Sequence, residues 1–280
     1  MERSRVNGWA GVRLGAVTYL NTRPLIFCLR RLAGDMRVVV DFPSRLADDL
    51  AAARLDVAMA PSIEYSRNPG YSIVSDACVA CDGPVRSVKL YGRVPVRRIR
   101  TLALDEGSRT SAALTRILLK ERFALEPQLW PLPIGTPLEE STADAVMLIG
   151  DRGILPPPGG YPGRFEFVWD LGEEWSRWTG LPFVFAMWIA RPGVDLQGID
   201  EFLAAARDEG VTRLAEIARL EAPVLGIPEA ECLAYLRDNL DFELGERQRR
   251  GLELFFELAG RHGLAPPGVE LVFYDQQAAR

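Results

Sequence analysis

The sequence predicts an α/β protein of two lobes, each built on a parallel sheet and joined to the other by crossover strands. The same β-α-β-α-β order of apolar runs occurs at 12–60 and again at 101–149. Two further apolar runs, at 87–92 and 183–190, lie where the chain would pass between the lobes. With 48% hydrophobic residues among 280, the chain can bury a core of this size.

The first copy of the repeat is predicted from short apolar runs and from helical spacing. A polar turn at 18–22 follows its first strand, and Ser44 is expected to cap a helix that has Leu46 and Leu50 on one face. The predicted elements are a strand at 12–17, a helix at 23–32, a strand at 38–40, a helix from 44 to about 53 and a strand at 57–60.

The second copy has a strand at 101–104, a helix with an apolar face, a weaker strand near 129–134 and a strand at 145–149. The segment Asp56-Val-Ala-Met-Ala of the first copy corresponds to Asp144-Ala-Val-Met-Leu of the second. Residues after about Arg191 have helical patterns and are expected to pack onto the first lobe. The predicted lobes are therefore 1–92 together with 191–280, and 93–190.

Composition limits the possible partners. The net charge of −5 gives no basic surface for nucleic acid, and no segment has the apolar length of a membrane span. The segment MERSRVNGWAGVRLGAV has no apolar core and no small-residue cleavage site, which predicts a cytoplasmic protein. The expected partner is a small molecule, and the oligomeric state is left open. An anionic ligand would need local donors, because the overall charge repels it weakly.

The cysteines and the histidine disfavour the common metal and nucleophile sites. Cys78 and Cys81 form a lone CxxC pair, and His262 is the only histidine. Because a second pair at zinc spacing is missing, we interpret the cysteines as small core residues. A single histidine near the end of the chain also disfavours a Ser-His-Asp triad. No metal or cofactor is predicted.

Candidate site residues come from four turns that follow predicted strands. Ligands of open parallel sheets bind beyond the carboxyl ends of the strands. The turns contain, in order, Asn21 and Thr22, then Ser62, then the segment 105–111, and then Asp151. If the two lobes face each other, all four turns line one cleft.

Each of these candidates also has a purely structural interpretation. Ser108, Arg109, Thr110 and Ser111 open a predicted helix, and their N–H groups, hydroxyls and guanidinium suit a carboxylate or a phosphate. A helix cap with a surface arginine explains the same residues about equally well. The turn residues Asn21, Thr22 and Asp151 are likewise either cleft residues or caps. Ser87, at the start of the first crossover run, indicates no function by itself.

Five segments form longer motifs. They are Thr18-Tyr-Leu-Asn-Thr-Arg-Pro-Leu25, Asp82-Gly-Pro-Val-Arg-Ser-Val-Lys-Leu90, Asp105-Glu-Gly-Ser-Arg-Thr-Ser111, Leu148-Ile-Gly-Asp-Arg152, and Asp170-Leu-Gly-Glu-Glu-Trp175 continuing through Thr179-Gly-Leu-Pro-Phe-Val-Phe-Ala186. In this order they resemble the signature segments of the chorismate dehydratases, which open the futalosine route to menaquinone. The resemblance runs from about 13 to about 191, with a weaker helical match beyond.

This resemblance implies a type II periplasmic-binding-protein-like fold with two lobes and crossover hinge strands. It implies a carbon–oxygen lyase that removes water from chorismate to give 3-[(1-carboxyvinyl)oxy]benzoate without a cofactor. By motif position, Asn21 and Ser87 are the expected catalytic residues. The expected substrate-binding residues are Thr22, Ser62, Ser108, Arg109, Thr110, Ser111 and Asp151. Cys81 departs from the family pattern, in which we expect a serine.

Two alternatives remain at this point. The related dihydroxynaphthoate synthase has a similar architecture, but its first turn differs from Tyr-Leu-Asn-Thr-Arg-Pro-Leu. A small-anion binding or sensory module of the same fold usually carries a signal peptide or a lipid-attachment cysteine, and neither is found here.

Overall fold

A computed structural model of the protein describes residues 11–32, 36–155, 160 and 163–274. In chain order its strands are β1 (Arg13–Val17), β2 (Arg37–Asp41), β3 (Val57–Pro61), β4 (Ser72–Cys81), β5 (Lys89–Gly92), β6 (Thr101–Asp105), β7 (Gln128–Leu132), β8 (Ala145–Leu148), β9 (Phe167–Asp170), β10 (Phe183–Ala190) and β11 (Asp241–Glu243). Its helices are α1 (Arg23–Ile26), α2 (Leu29–Leu32), α3 (Pro43–Ala51), α4 (Ser62–Arg67), α5 (Arg109–Phe123), α6 (Asp151–Ile154), α7 (Leu171–Thr179), α8 (Ile199–Thr212), α9 (Leu214–Leu225), α10 (Glu229–Asp238) and α11 (Glu246–Arg261).

Two mixed sheets organise the described residues, and each defines one lobe. The first sheet has the order β11-β4-β10-β3-β1-β2, and the second has the order β7-β6-β8-β5-β9. In the first sheet β1 pairs in parallel with β2 and β3, and in the second β6 pairs in parallel with β7 and β8. An antiparallel strand then follows in each sheet, β10 beside β3 and β5 beside β8. The predicted two-lobed α/β architecture with an internal repeat is confirmed.

The repeat extends to one side-chain contact. Asp56 Oδ2 accepts a hydrogen bond from the backbone N–H of Arg13 at 2.8 Å, at the start of the neighbouring strand β1. Asp144 Oδ2 accepts one from the N–H of Thr101 at 3.0 Å, at the start of β6. Each aspartate therefore ties the beginning of the third strand of its copy to the beginning of the first.

The chain crosses between the two sheets twice, once between β4 and β5 and once through α7 between β9 and β10. The lobe limits of 1–92 with 191–280, and 93–190, stay a prediction, and their ends at 1–10 and 275–280 lie outside the described residues. By sheet membership β5 belongs to the second lobe and β10 to the first, because each crossover strand hydrogen-bonds within the sheet that it enters.

Some elements differ from those expected. The helix expected at 23–32 is two short helices, α1 and α2, and Phe42 rather than Ser44 lies at the cap of α3, whose first residue is Pro43. Strands β4 and β9 were not predicted, and β11 interrupts the helical carboxyl-terminal part. Strand β4 lacks the alternation of a half-buried strand because nine of its ten residues are buried, as expected for a strand covered on both faces.

The aromatic run of the second crossover packs into the core. Trp175, Phe183 and Trp188 have no exposed surface, and the rings of Trp175 and Phe183 meet edge to face at 5.1 Å. Phe255 of α11 closes the cluster, with its ring centroid 5.0 Å from that of Phe183. These contacts fix α7 and α11 against β10. None of the described helices has the length and apolar character of a membrane span.

Candidate functional site

A pocket lies between the lobes at the carboxyl ends of the parallel strands. Its walls include Val17 at the end of β1, Pro61 at the end of β3, Gly150 after β8, and Ser108 and Ser111 at the start of α5. It has a volume of about 40 Å³, room for about three water molecules. This space is too small for a ring-sized ligand, so we expect the lobes to move apart when one enters.

Asn21 and Thr22 reach this pocket from the first lobe. Residues 20–22 form a single tight turn between β1 and α1, and the Thr22 hydroxyl donates to the carbonyls of Val17 and Tyr19, each at 2.8 Å. The Asn21 Oδ1 atom is buried and has no hydrogen-bond partner in the described part of the protein. Thr22 thus holds the turn together, whereas the amide of Asn21 has capacity left for a ligand.

Ser108 and Ser111 reach the pocket from the second lobe. Ser108 caps α5, and its Oγ accepts a hydrogen bond from the N–H of Ser111 at 3.3 Å. The two Oγ atoms lie 3.0 Å apart. The pair presents hydroxyl groups at the positive end of a 15-residue helix, which suits a ligand carboxylate.

Ser62 and Thr110 join the two lobes and are not part of the pocket wall. Both side chains are fully buried. The Ser62 hydroxyl donates to the Val184 carbonyl at 2.8 Å and lies 3.3 Å from the Thr110 hydroxyl. Thr110 Oγ1 also accepts the N–H of Ile63 at 3.2 Å. Their hydroxyls are thus occupied by contacts within the protein.

Arg109 lies outside the enclosed pocket, in an open groove of about 770 Å³ between the lobes. Its guanidinium contacts Asp48 Oδ1 at 2.6 Å and Glu64 Oε2 at 3.3 Å. Asp48 is on α3 and Glu64 on α4, so these ion pairs tie the second lobe to the first. The structure therefore gives the Arg109 side chain two carboxylate partners of its own.

Removing this link should favour the open form. Arg109→Ala deletes two ion pairs of partly exposed groups, together worth about 1 kcal/mol, which corresponds to an increase of about fivefold in the ratio of open to closed protein. Small-angle scattering of the ligand-free protein should then show a larger radius of gyration. The matched control is Arg177→Ala, which removes an ion pair with Glu173 inside α7. Scattering curves that coincide for the wild type and Arg109→Ala would refute this role.

Ser87 lies in the crossover between β4 and β5, next to Val88, which lines the pocket. The Ser87 side chain is fully buried, and its Oγ has no hydrogen bond of ordinary geometry within the described residues. It faces the hydroxyl of Tyr235 on α10. Burial raises the pKa of Tyr235, whose hydroxyl is a close neighbour of the Ser87 hydroxyl.

Asp151 begins α6, beside the pocket rather than in its wall. Its Oδ1 accepts the N–H of Leu20 at 3.0 Å, a hydrogen bond between the lobes. Burial raises the pKa of Asp151, and the Leu20 N–H and the charge of Arg23 oppose this shift. Asp151 is thus a half-buried carboxylate with a structural partner.

Sequence reasoning did not single out several residues at the site. Tyr19 lines the pocket, and its ring is so close to Gly150 that a Cβ there would lie 2.6 Å from it. Burial raises the pKa of Tyr19. Its place in the first motif was a signal that could have identified it. Phe185, also in the wall, belongs to an aromatic run that could stack on a ring but whose pattern favours the core, and Tyr235 likewise has the pattern of a core residue.

The sequence matches the model of a family described as menaquinone biosynthesis over residues 12–261. The chain belongs to this family. A chorismate dehydratase from Thermus thermophilus is 35% identical over 261 residues, which cover 88% of this chain and 94% of the Thermus protein. A chorismate dehydratase from Campylobacter jejuni is 28% identical over 181 residues, covering 61% of this chain and 64% of that protein.

Solved structures confirm the periplasmic-binding-protein-like fold. A protein from Archaeoglobus fulgidus superposes with a TM-score of 0.64 at 14% identity, covering 90% of this chain and 98% of that one. The periplasmic aliphatic sulphonate binding protein from Escherichia coli superposes with a TM-score of 0.59 at 16% identity, covering 95% and 90%. At these identities the similarity shows the fold alone.

Proposed function

We propose that the protein is a chorismate dehydratase, a hydro-lyase that converts chorismate to 3-[(1-carboxyvinyl)oxy]benzoate in the cytoplasm without a metal or nucleotide cofactor. The observation that carries this proposal is the 35% identity to the Thermus enzyme over nearly its whole length. The enclosed pocket adds support, because dehydration of a ring to an aromatic product benefits from a site that excludes water.

Chorismate is a dianion, whereas the protein has a net charge of −5. Binding must therefore come from local donors, and the pocket supplies them at Ser108, Ser111 and the amide of Asn21. The start of α5 is the site at which we place a substrate carboxylate. Asn21 and Ser87 are then the groups that orient the enolpyruvyl carboxylate and the departing hydroxyl.

The reaction removes the ring hydrogen at the ether-bearing carbon and the neighbouring hydroxyl. A general base must accept that proton within hydrogen-bond reach. Asn21 cannot act as a base, and Ser87 has no histidine partner, because His262 lies at the end of α11 with its Nε2 2.7 Å from Glu121. Two acceptors remain, Asp151 and the enolpyruvyl carboxylate of the substrate.

We favour the carboxylate of the substrate. The Asp151 carboxylate already accepts the N–H of Leu20 at 3.0 Å, whereas the Asn21 Oδ1 and Ser87 Oγ atoms have no hydrogen-bond partner among the described residues. The folded-back enolpyruvyl group brings its own carboxylate to the ring hydrogen, and formation of the aromatic ring makes the step downhill. A weak base that is held in place then suffices.

Asp151→Asn is accordingly expected to keep at least about a tenth of the wild-type kcat, because an amide oxygen can still accept the N–H of Leu20. Steady-state kinetics with chorismate measures this. Circular dichroism shows whether the variant is folded, and a binding measurement shows whether it still binds chorismate. A folded variant that binds chorismate but does not turn it over would identify Asp151 as the base.

The test of the proposed function is incubation of the purified chain with chorismate in the presence of a metal chelator. The product should weigh one water less than chorismate and carry an aromatic ring, as observed by mass spectrometry and proton NMR. Activity that a chelator abolishes and a metal restores would contradict the cofactor-free reaction. Tight chorismate binding without turnover would contradict the enzyme and favour a binding module.

A further inference from the structure

One face of α10 lies along the crossover that carries Ser87. Glu231, Tyr235 and Asn239 are spaced by four residues, so they share one side of the helix and its carboxyl-terminal cap. Glu231 Oε1 pairs with the Arg86 guanidinium at 2.6 Å, and Asn239 Nδ2 donates to the Pro84 carbonyl at 2.9 Å. Tyr235 lies between them on this side of α10, with its hydroxyl near that of Ser87.

The backbone of this crossover is also held by Asp170. The Asp170 carboxylate accepts the N–H groups of Val85 at 2.9 Å and Arg86 at 2.6 Å, and it caps α7 through Gly172 and Glu173. Arg86 has a φ of +59°, and the N–H of Ser87 donates to the Val85 carbonyl at 2.7 Å. The backbone of Ser87 is therefore fixed, and its remaining freedom is rotation of the hydroxymethyl group.

Helix α6 also packs against this crossover, at Gly153. A Cβ on Gly153 would lie 2.2 Å from the Ser87 carbonyl oxygen, so α6 packs directly against the crossover backbone. Ser87 directly precedes Val88, a wall residue of the pocket, and its hydroxyl lies near that of Tyr235. Both hydroxyls are buried atoms without a formed hydrogen bond in the described part of the chain.

We propose that Tyr235 is a positioning residue whose hydroxyl donates to Ser87 Oγ and so directs the Ser87 proton into the pocket, toward the departing hydroxyl of the substrate. This inference rests on the proposed function. Ser87 donates a hydrogen bond and keeps its proton. The C–O bond breaks with its electron pair on oxygen, and the proton lost from the ring completes the water that leaves.

This arrangement makes the effect of Tyr235 conditional on Ser87. A hydrogen bond that Tyr235 donates to Ser87 Oγ strengthens the hydrogen bond that Ser87 donates to the substrate, because hydrogen bonds in a chain polarise one another. If Ser87 is absent, the Tyr235 hydroxyl has no route to the reacting atoms. A purely structural tyrosine would have the same effect in either background.

The test is a double-mutant cycle of kcat with chorismate, using Tyr235→Phe, Ser87→Ala and the double variant. Tyr235→Phe should lower kcat about tenfold in the wild-type background with KM nearly unchanged, and should change it less than about twofold when Ser87 is alanine. Tyr65→Phe is the matched control, because its buried hydroxyl bonds to Glu270 and Val272, away from the pocket. Its kcat should equal that of the wild type.

A second cycle, measured by chemical unfolding of the same four proteins, needs no turnover. The inference is supported if the effects of the two substitutions on the free energy of unfolding are non-additive and if Tyr235→Phe lowers kcat only when Ser87 is present. Equal losses of kcat in both backgrounds, no loss in Tyr235→Phe, or a Tyr235→Phe protein that does not fold would overturn it. A wild-type chain that does not dehydrate chorismate would overturn the proposed function, and with it the catalytic part of this inference, whatever the unfolding cycle shows.

Discussion

Ser87→Ala and Asn21→Ala are each expected to lower kcat by about 10²- to 10³-fold, while the Kd for chorismate changes less than about fivefold. The reason is that Ser87 Oγ and Asn21 Oδ1 are buried polar atoms with no hydrogen-bond partner among the described residues. Buried polar groups that lack a partner within the protein and lie next to a pocket can form hydrogen bonds with the reacting molecule. Steady-state kinetics and equilibrium binding separate the two effects.

Matched controls come from α4, outside the pocket. Ser66→Ala removes a buried hydroxyl that donates to the Ile63 carbonyl at 2.8 Å, and Asn68→Ala removes an amide that donates to the Glu64 carbonyl at 2.7 Å. Both controls should keep a kcat within about twofold of the wild type. If Ser87→Ala and Asn21→Ala raise Kd as much as they lower kcat, the two residues bind substrate and do not act in the transition state.

Asp56→Asn is expected to lower the free energy of unfolding by about 2 to 3 kcal/mol at neutral pH. The carboxylate is 4% exposed and accepts hydrogen bonds from two arginines. The Arg13 guanidinium contacts it at 2.8 and 2.9 Å, and Arg191 contacts it at 2.6 and 3.1 Å. An amide leaves both cations without a charged partner. The expected loss is below that of a fully buried pair, because both guanidinium side chains are about 30% exposed.

The pH dependence follows from the same contact. The Arg13 hydrogen bond holds the pKa of Asp56 well below its ordinary value, although burial opposes this. A carboxylate with a lowered pKa in the folded state stabilises the protein above its unfolded pKa of about 4 and loses this contribution as the pH falls further. The difference in stability between the wild type and Asp56→Asn should therefore shrink below about pH 4.

Urea unfolding at several pH values measures this difference. The matched control is Asp144→Asn at the corresponding place in the second sheet, where the side chain accepts the backbone N–H groups of Arg100 and Thr101. It should lose about 1 kcal/mol or less at neutral pH. Equal losses for the two variants, or a difference that grows at acid pH, would contradict the role assigned to the arginines.

The repeat and the place of the pocket could be predicted from sequence for a physical reason. Asp56 and Asp144 mark the same point in two copies of one unit, and parallel strands bring their carboxyl ends to one edge. Two copies that face each other therefore bring the turns at 19–22, 61–62, 105–111 and 150–151 together. The local sequence pattern and the order of the elements are therefore enough to predict both the repeat and the place of the pocket.

The roles of single polar residues could not be predicted in this way. The local sequence around Arg109 suits an anion, but Asp48 and Glu64 engage its guanidinium from helices more than 40 residues earlier in the chain. Tyr235 lies 148 positions after Ser87 in a helix whose apolar pattern indicates only core. Strand β4 has buried residues on both faces, so its sequence lacks the period that identifies a strand.

The most direct test of the account is the crystal structure of Ser87→Ala with chorismate bound, because this variant should bind the substrate nearly as tightly as the wild type while consuming it about 10²- to 10³-fold more slowly. We expect the ring in the pocket between the lobes, one carboxylate at the start of α5 against Ser108 and Ser111, and the enolpyruvyl carboxylate folded back toward the ring hydrogen near Asn21. Chorismate bound in the open groove against Arg109, or with its ring hydrogen facing Asp151 instead, would contradict the account.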